Sequence, residues 1–153
     1  MKLEIEVNII LVKKGKRARF LIDYMYFFKK NPEILKRIQS DPDLKLEGRW
    51  VCHITDNFKF KKVKLTKNTK EDHMERGIAC GIPIKAINHF IEHGISKPCC
   101  SYNIAVTRDS IIQDYIFGFV YKDMSFETEI ENLAKSWNET LKLYGFGAKC
   151  IID

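Results

Sequence analysis

The strongest pattern in the chain is helical and spans residues 125–145, SFETEIENLAKSWNETLKLYG. Apolar side chains recur there at steps of three and four, from Phe126 through Trp137 to Tyr144, and therefore share one face of a helix. Gly145 follows the last of them and is typical of a helix end. The remaining residues, FGAKCII, predict a final strand. This end of the chain is therefore predicted to be a helix followed by a strand.

The first forty residues predict a strand and a short helix. Residues 2–12 carry apolar side chains at every second position, which is the spacing of a half-buried strand. Residues 17–30 fit either a helix or a strand. Asn31-Pro32 resembles a helix start with proline in the first turn, and this helix is predicted to stop before Asp41-Pro42.

A β-hairpin is predicted in the middle of the chain. Its strands are residues 45–55 and 58–66, and Asp56-Asn57 supplies the turn because both side chains tolerate positive φ. The alternation of apolar and polar positions then shifts by one residue, which predicts a bulge near Lys61-Lys62.

Helical signals return over residues 69–93, where Gly77, Gly81 and Pro83 interrupt them. Pro83 is suited to the first turn of a second helix, and Gly94 is suited to the position after its end. This segment therefore predicts two helices joined by a short turn, or one helix preceded by a loop.

The segment from residue 102 onward completes the fold class. Tyr102, Ile104 and Val106 alternate and predict a strand. Residues 111–122 are either a strand throughout or a helical turn followed by a strand. Hairpins mixed with single crossovers predict an α+β fold in one domain, with a mixed, mainly antiparallel sheet flanked by helices.

Composition narrows the class of protein. The 153 residues are 45% hydrophobic and 30% charged, as in an ordinary globular domain. Apolar runs are far shorter than the roughly 20 residues of a membrane span. The start, MKLEIEV, lacks the unbroken apolar stretch of a signal peptide. The five cysteines form no CxxC pair, so we expect reduced thiols, no metal and a cytoplasmic location.

Positive charge is concentrated in the first half of the chain. Residues 1–77 hold 19 Lys and Arg against 11 Asp and Glu. The positive residues cluster in KKGKRAR, residues 13–19, and in a lysine-rich stretch over residues 59–70. Such a field attracts a polyanionic ligand, which could be a coenzyme, a nucleotide or a nucleic acid. The alternative is a solvated basic surface without a partner.

A glycine-interrupted segment, residues 76–95, has the pattern of an anion site: RGIACGIPIKAINHFIEHGI. A turn of small residues that enters a helix leaves backbone N–H groups unpaired at the helix start, where they can bind a pyrophosphate. Arg76 would add a charged donor. The alternative is a helical corner in which the glycines only end one helix and begin the next.

Two motifs in residues 63–122 point to a family. Residues 76–81, Arg-Gly-Ile-Ala-Cys-Gly, have the frame of an Arg/Gln-x-x-Gly-x-Gly/Ala loop before a helix, and residues 109–119, DSIIQDYIFGF, have the frame of a short helix followed by a Gly-Phe strand start. These motifs resemble the coenzyme loop and the second signature of the GNAT superfamily of N-acyltransferases.

The resemblance implies an acyl-coenzyme A-dependent N-acyltransferase, with acetyl-CoA or another acyl-CoA as cofactor. It implies that the pyrophosphate is bound by Arg76, Gly77, Ala79, Cys80 and Gly81. An amine must lose a proton before it is acylated. Glu71, Asp72 or Glu75 is the candidate base. Tyr115 is the candidate acid for the leaving thiolate.

Other functions remain open. His89 and His93 belong to an HxxEH motif, but both are predicted to lie opposite the buried helix face, so we expect no metal there. A nucleic-acid or nucleotide-binding module would use the lysines together with Trp50, Phe58 or Phe60 as stacking platforms. A non-enzymatic interaction or inhibitor protein is the third possibility.

Overall fold

The computed structural model describes residues 3–22, 26–59, 70–95 and 99–153. Their contacts divide the chain, which the sequence predicts as one domain, into two compact units, Met1–Asn57 and Phe58–Asp153. The predicted strand beyond Lys59 and the predicted bulge at Lys61-Lys62 lie outside the described residues.

The first unit combines helices with a small sheet. Its strands pair antiparallel in the order β1-β3-β2. Ile5, Phe20, Ile34 and Val51 belong to one buried cluster that joins helices and strands. The elements are α1 (Leu3–Lys13), β1 (Arg19–Leu21), α2 (Phe27–Lys30), α3 (Pro32–Gln39), β2 (Leu44–Glu47) and β3 (Trp50–His53).

The predicted strand over residues 2–12 is wrong, because the chain forms helix α1 there. Its apolar side chains at alternating positions are accompanied by Ile10 and Val12, so apolar residues occur around most of the helix. Ile5, Val7 and Leu11 are all buried although they do not share one helical face. A helix buried on several sides lacks the 3.6-residue periodicity that identifies an amphipathic one.

The predicted hairpin turn at Asp56-Asn57 is also wrong. Strands β2 and β3 pair from Leu44↔His53 to Glu47↔Trp50, which leaves Gly48-Arg49 as the two-residue turn. Gly48 has φ +62 and adopts this left-handed conformation without a steric cost. The Asp56 side chain instead forms an ion pair with Arg19.

Helix α3 confirms the start predicted at Asn31-Pro32, since Pro32 is its first residue. The Asn31 side chain does not cap it and instead donates a hydrogen bond from Nδ2 to the carbonyl of Phe27 at 2.9 Å. The helix ends at Gln39, before Asp41-Pro42, as predicted.

Asp41 follows α3, and its carboxylate accepts three hydrogen bonds. Its carboxylate accepts hydrogen bonds from Lys13 Nζ at 2.8 Å, Arg37 Nη1 at 2.9 Å and the Asp43 backbone N–H at 3.0 Å. Burial alone raises the pKa of Asp41, but these hydrogen bonds outweigh it and lower the pKa from 3.8 to about 2. The ionised carboxylate therefore stabilises the folded protein.

The lowered pKa predicts a defined pH dependence. A depressed pKa contributes stability above the unfolded value near 3.8, and this stability is lost as the pH falls toward 2. Compared with Asp41→Asn, the native protein should be about 1–2 kcal/mol more stable above pH 5, and the gap should close between pH 4 and 2. Urea unfolding at several pH values measures this gap, and a gap independent of pH would contradict the prediction.

The described residues of the second unit form three helices, a three-stranded sheet and a short 3₁₀ turn. Its strands pair antiparallel in the order β5-β4-β6. The elements are α4 (Lys70–Ala79), α5 (Ile84–His93), β4 (Cys100–Arg108), β5 (Ile111–Tyr121), α6 (Glu127–Leu141), the 3₁₀ turn Lys142–Tyr144 and β6 (Gly147–Ile152). The α+β class is confirmed, with two antiparallel sheets.

Helix α6 and strand β6 confirm the predictions made for the end of the chain, and α6 packs on β6 and β4. Tyr102 of β4 fixes the entry to this helix. Its hydroxyl donates to the carbonyl of Asp123 at 2.6 Å and accepts from the backbone N–H of Phe126 at 3.1 Å. None of the helices in the described ranges combines the length and the apolarity required to cross a membrane.

Candidate ligand-binding cleft

A cleft of about 510 Å³ lies along α4 in the second unit. This volume is in the range of small-molecule sites. Its half-buried lining consists of Phe58, Met74, Glu75 and Ile91. Its exposed rim consists of Lys59, Lys70, Glu71, Ile78 and Asn88. Apolar side chains therefore surround one half-buried carboxylate, while most of the charges lie at the rim.

Close contact between α4 and α5 builds two walls of this cleft. A Cβ atom at Gly77 would lie 2.7 Å from Cδ1 and Cγ1 of the buried Ile87, so only glycine allows this approach without a shift. Further along, the rings of His73 and Phe90 meet edge to face with centroids 5.5 Å apart. Asn88 and Ile91, on the neighbouring part of α5, contribute to the lining of the cleft.

Glu75 is the distinctive polar group of the cleft. Its Oε2 atom is buried and has no hydrogen-bond partner in the part of the chain that the structure describes. Leaving a buried acceptor unpaired costs about 1–3 kcal/mol, and more when the group is charged. Groups of this kind are uncommon in native proteins and call for an explanation, such as a ligand or an ordered water.

Two of the three predicted candidate bases meet in this cleft. Glu71 and Glu75 are one helical turn apart on α4, and both line it. Asp72 is buried and is not among the lining residues. That Glu71 or Glu75 acts as a base stays a prediction.

The predicted phosphate-binding loop is wrong. The amides of Cys80, Gly81 and Ile82 donate to the carbonyls of Arg76, Ile78 and Gly77 at 2.9, 3.0 and 2.9 Å. These bonds, with Gly81 at φ +83, form the hydrogen-bonded turn that ends a helix. Gly77 and Ala79 lie inside α4 and are buried. The segment is the helical corner that the sequence left as an alternative.

A helix C-terminus presents carbonyl oxygens and the negative end of the helix dipole, which disfavours a phosphate. The residues predicted to hold the coenzyme, Arg76, Gly77, Ala79, Cys80 and Gly81, therefore do not fit a pyrophosphate.

The second predicted signature also has a different structure. Residues 111–121 form strand β5 throughout, without the helical turn that the resemblance requires. Tyr115, the predicted acid, is 52% exposed on this strand and does not line the cleft. Neither signature thus has the backbone conformation of the coenzyme site.

The histidines of the HxxEH motif lie side by side near the end of α5, with their rings tilted by 45°. The rings of His89 and His93 have centroids 4.7 Å apart, and the ring of Tyr121 meets His89 at 5.5 Å. In the described part of the chain, no three His, Cys, Asp or Glu residues are grouped so that they could hold a metal ion.

The five cysteines are free, and Cys52 is the most buried. Burial, followed by the charges of Asp56 and Glu47, raises the pKa of the Cys52 thiol to about 11. A thiol with a raised pKa is a poor nucleophile at neutral pH. Cys52 is therefore a structural core residue.

Several charges of the basic N-terminal half have internal partners. Arg17 donates to Asn8 Oδ1 at 2.6 Å, and Lys13 pairs with Asp41 at 2.8 Å. The predicted stacking residue Trp50 is buried in β3, so its ring cannot receive a base. The predicted platform Phe60 and the lysines of residues 61–67 lie outside the described residues.

Comparison with known protein families, curated proteins and solved structures gives no match for this chain. Membership of the GNAT superfamily therefore stays a prediction from the two motifs.

Sequence reasoning missed most of the cleft lining. The signal was available in α4, where Lys70, Met74 and Ile78 recur every four residues beside Glu71 and Glu75. A helical face that mixes acids with large apolar residues is unusual for a solvated surface. The α5 wall and Phe58 depend on tertiary packing, which the periodicity does not reveal.

Proposed function

We propose that the second unit is a small-molecule-binding module whose cleft takes a ligand with a basic nitrogen and an apolar body. One observation carries the proposal: Glu75 lines a cleft of about 510 Å³, and its buried Oε2 has no hydrogen-bond partner among the described residues. An ammonium or guanidinium group is the best complement for a buried carboxylate, because charge-assisted hydrogen bonds are about twice as strong as neutral ones.

The remaining lining supports the apolar part of such a ligand. Met74, Ile91 and Phe58 are half-buried and offer carbon and sulfur surface beside Glu75. Burying apolar area stabilises a complex by roughly 25 cal/mol per Å² before the costs of association. A methionine thioether also packs well against aromatic rings. An arylalkylamine therefore matches both chemical features of the cleft.

Acyl transfer is the catalytic form of this proposal and rests on the sequence resemblance alone. An amine bound at Glu75 would have a base beside it, as the motifs predict. The polyanionic ligand of the basic half and the cytoplasmic location likewise stay predictions. No contact among the described residues favours nucleic-acid binding.

Glu75→Gln is expected to weaken the binding of phenethylamine at least tenfold, because the charge-assisted bond is lost. The same substitution should leave the unliganded protein as stable or up to about 1 kcal/mol more stable, since it removes a half-buried carboxylate that has one unpartnered oxygen among the described residues. Calorimetric titration and thermal unfolding measure the two effects. Glu131→Gln, which is exposed on α6 and does not line the cleft, is the matched control and should change binding less than threefold.

Unchanged phenethylamine affinity in Glu75→Gln sinks the proposal, as does the absence of any binding to the native protein. Parallel titrations with acetyl-CoA and with an oligonucleotide test the two ligand classes predicted from the sequence. If acetyl-CoA stabilises the native protein and Glu75→Gln equally against thermal unfolding, then acetyl-CoA binds outside this cleft.

A further inference from the structure

Lys59 and Lys70 line the same cleft as Glu75 and are exposed at its rim. Their side chains are long and flexible, so each ammonium group can turn toward a bound anion. A ligand that carries only a basic nitrogen would leave these two cations without a complement. The cleft therefore offers three kinds of surface at once: cationic, anionic and apolar.

We propose that the ligand is an apolar zwitterion of the amino-acid type, with its ammonium group on Glu75 and its carboxylate toward Lys59 and Lys70. This inference rests on the proposed function, because it keeps the nitrogen on Glu75. It adds the anionic group and the direction in which the ligand lies.

The direction follows from the order of residues along α4. Lys70 precedes Glu75 by five residues, which is about 7.5 Å along a helix axis, and Ile78 lies about 4.5 Å beyond Glu75. Lys70, Met74 and Ile78 lie along one face at successive steps of four. A ligand on this face thus has its carboxylate near the start of α4 and its side chain toward Met74 and Ile78.

Charge balance favours a zwitterion over either simpler class. The lining contains two lysines and two glutamates, so the empty cleft has no net charge. A lone amine would meet the repulsion of both lysines, and a lone acid would meet that of Glu75 and Glu71. A zwitterion places each of its charges next to the opposite one.

Four probes with one phenyl ring separate these possibilities: phenylalanine, phenethylamine without the carboxylate, 3-phenylpropionate without the amine, and N-acetylphenylalanine with the amine blocked. We expect phenylalanine to bind at least tenfold more tightly than each of the other three. In a Lys59→Met, Lys70→Met double variant, the affinity for phenylalanine should fall to that for phenethylamine. In Glu75→Gln, the affinity for phenylalanine should fall to that for 3-phenylpropionate.

The two proposals fail in distinguishable ways. The zwitterion inference is overturned if phenethylamine equals phenylalanine and the lysine variant binds both normally, while Glu75→Gln still loses binding. The proposed function itself is overturned if Glu75→Gln binds all four probes as the native protein does, or if none of them binds. Thermal unfolding of each variant confirms that it is folded, and Glu131→Gln, exposed on α6 and absent from the cleft lining, again serves as the control.

Discussion

Replacing Asp56 by alanine is expected to lower the free energy of unfolding of the first unit by about 3–5 kcal/mol. Asp56 accepts two hydrogen bonds from Arg19, from Nε to Oδ2 at 2.6 Å and from Nη2 to Oδ1 at 2.8 Å. The two side chains are only 6% and 12% exposed. Removing the carboxylate takes away the negative charge that accepts two hydrogen bonds from this largely buried guanidinium.

The pair also fixes the chain after β3. Arg19 belongs to β1, and the carbonyl of Asp56 accepts a further hydrogen bond from Lys45 Nζ in β2. Losing the carboxylate therefore weakens the attachment of this segment to both outer strands of the sheet. Hydrogen exchange of the β1 and β3 amides is expected to accelerate together with the loss of stability.

Chemical unfolding of Asp56→Ala beside Asp43→Ala tests this expectation. Asp43 is 53% exposed and lies 3.8 Å from Lys13, so its loss should cost less than about 0.5 kcal/mol. An Asp56→Leu, Arg19→Met double variant should recover part of the lost stability, because it removes both charges. Equal stability of Asp56→Ala and the control would refute the buried pair.

Trp137→Ala is expected to cost about 3–5 kcal/mol in the second unit, which is the range for removing a large buried aromatic side chain. Trp137 is 2% exposed on the inner face of α6. Its ring meets Phe117 of β5 edge to face, with centroids 6.0 Å apart. The substitution leaves a cavity between helix and sheet that this rigid packing can fill only partly.

Lys135→Ala is the matched control, because it is exposed on the same helix and should change stability by less than about 0.5 kcal/mol. Guanidinium unfolding followed by far-ultraviolet circular dichroism compares the two variants. If Trp137→Ala stayed within 1 kcal/mol of the native protein, α6 would not depend on this contact.

The sequence predicts α6 well because that helix has one buried face and one wet face. Trp137 and Ile130 are buried while Glu131 and Lys135 are exposed, so the 3.6-residue period is visible in the residue types. Helix α3 is predictable for a local reason, the proline in its first turn. Both signals act within a few residues and need no knowledge of distant contacts.

The failed predictions have the opposite character. Helix α1 is buried on several sides, so its composition hides its period. The hairpin turn was assigned to Asp56, whose preference for turns is overridden by its ion pair with Arg19, a partner 37 residues away. Residues 77–81 contain the glycines of an anion loop, but glycine serves equally at a helix end and in close helix contact.

The candidate site was predicted in part. Glu71 and Glu75 emerge from the sequence as neighbouring acids, and the structure places both in one cleft. Their spacing of four residues made this predictable. Phe58 and Ile91 come from other segments of the chain. That Glu75 Oε2 is buried without a hydrogen-bond partner among the described residues follows from tertiary packing, which the sequence does not show.

Gly77 links the architecture of the helical pair to what the cleft can accommodate. Because its missing side chain lets α4 rest against Ile87, each carbon atom added at this position acts as a spacer between the two walls. A graded series from alanine to valine would change the width of the cleft without altering any lining residue. Position 77 is thus a natural adjustment point for ligand size, separate from the groups that set ligand chemistry.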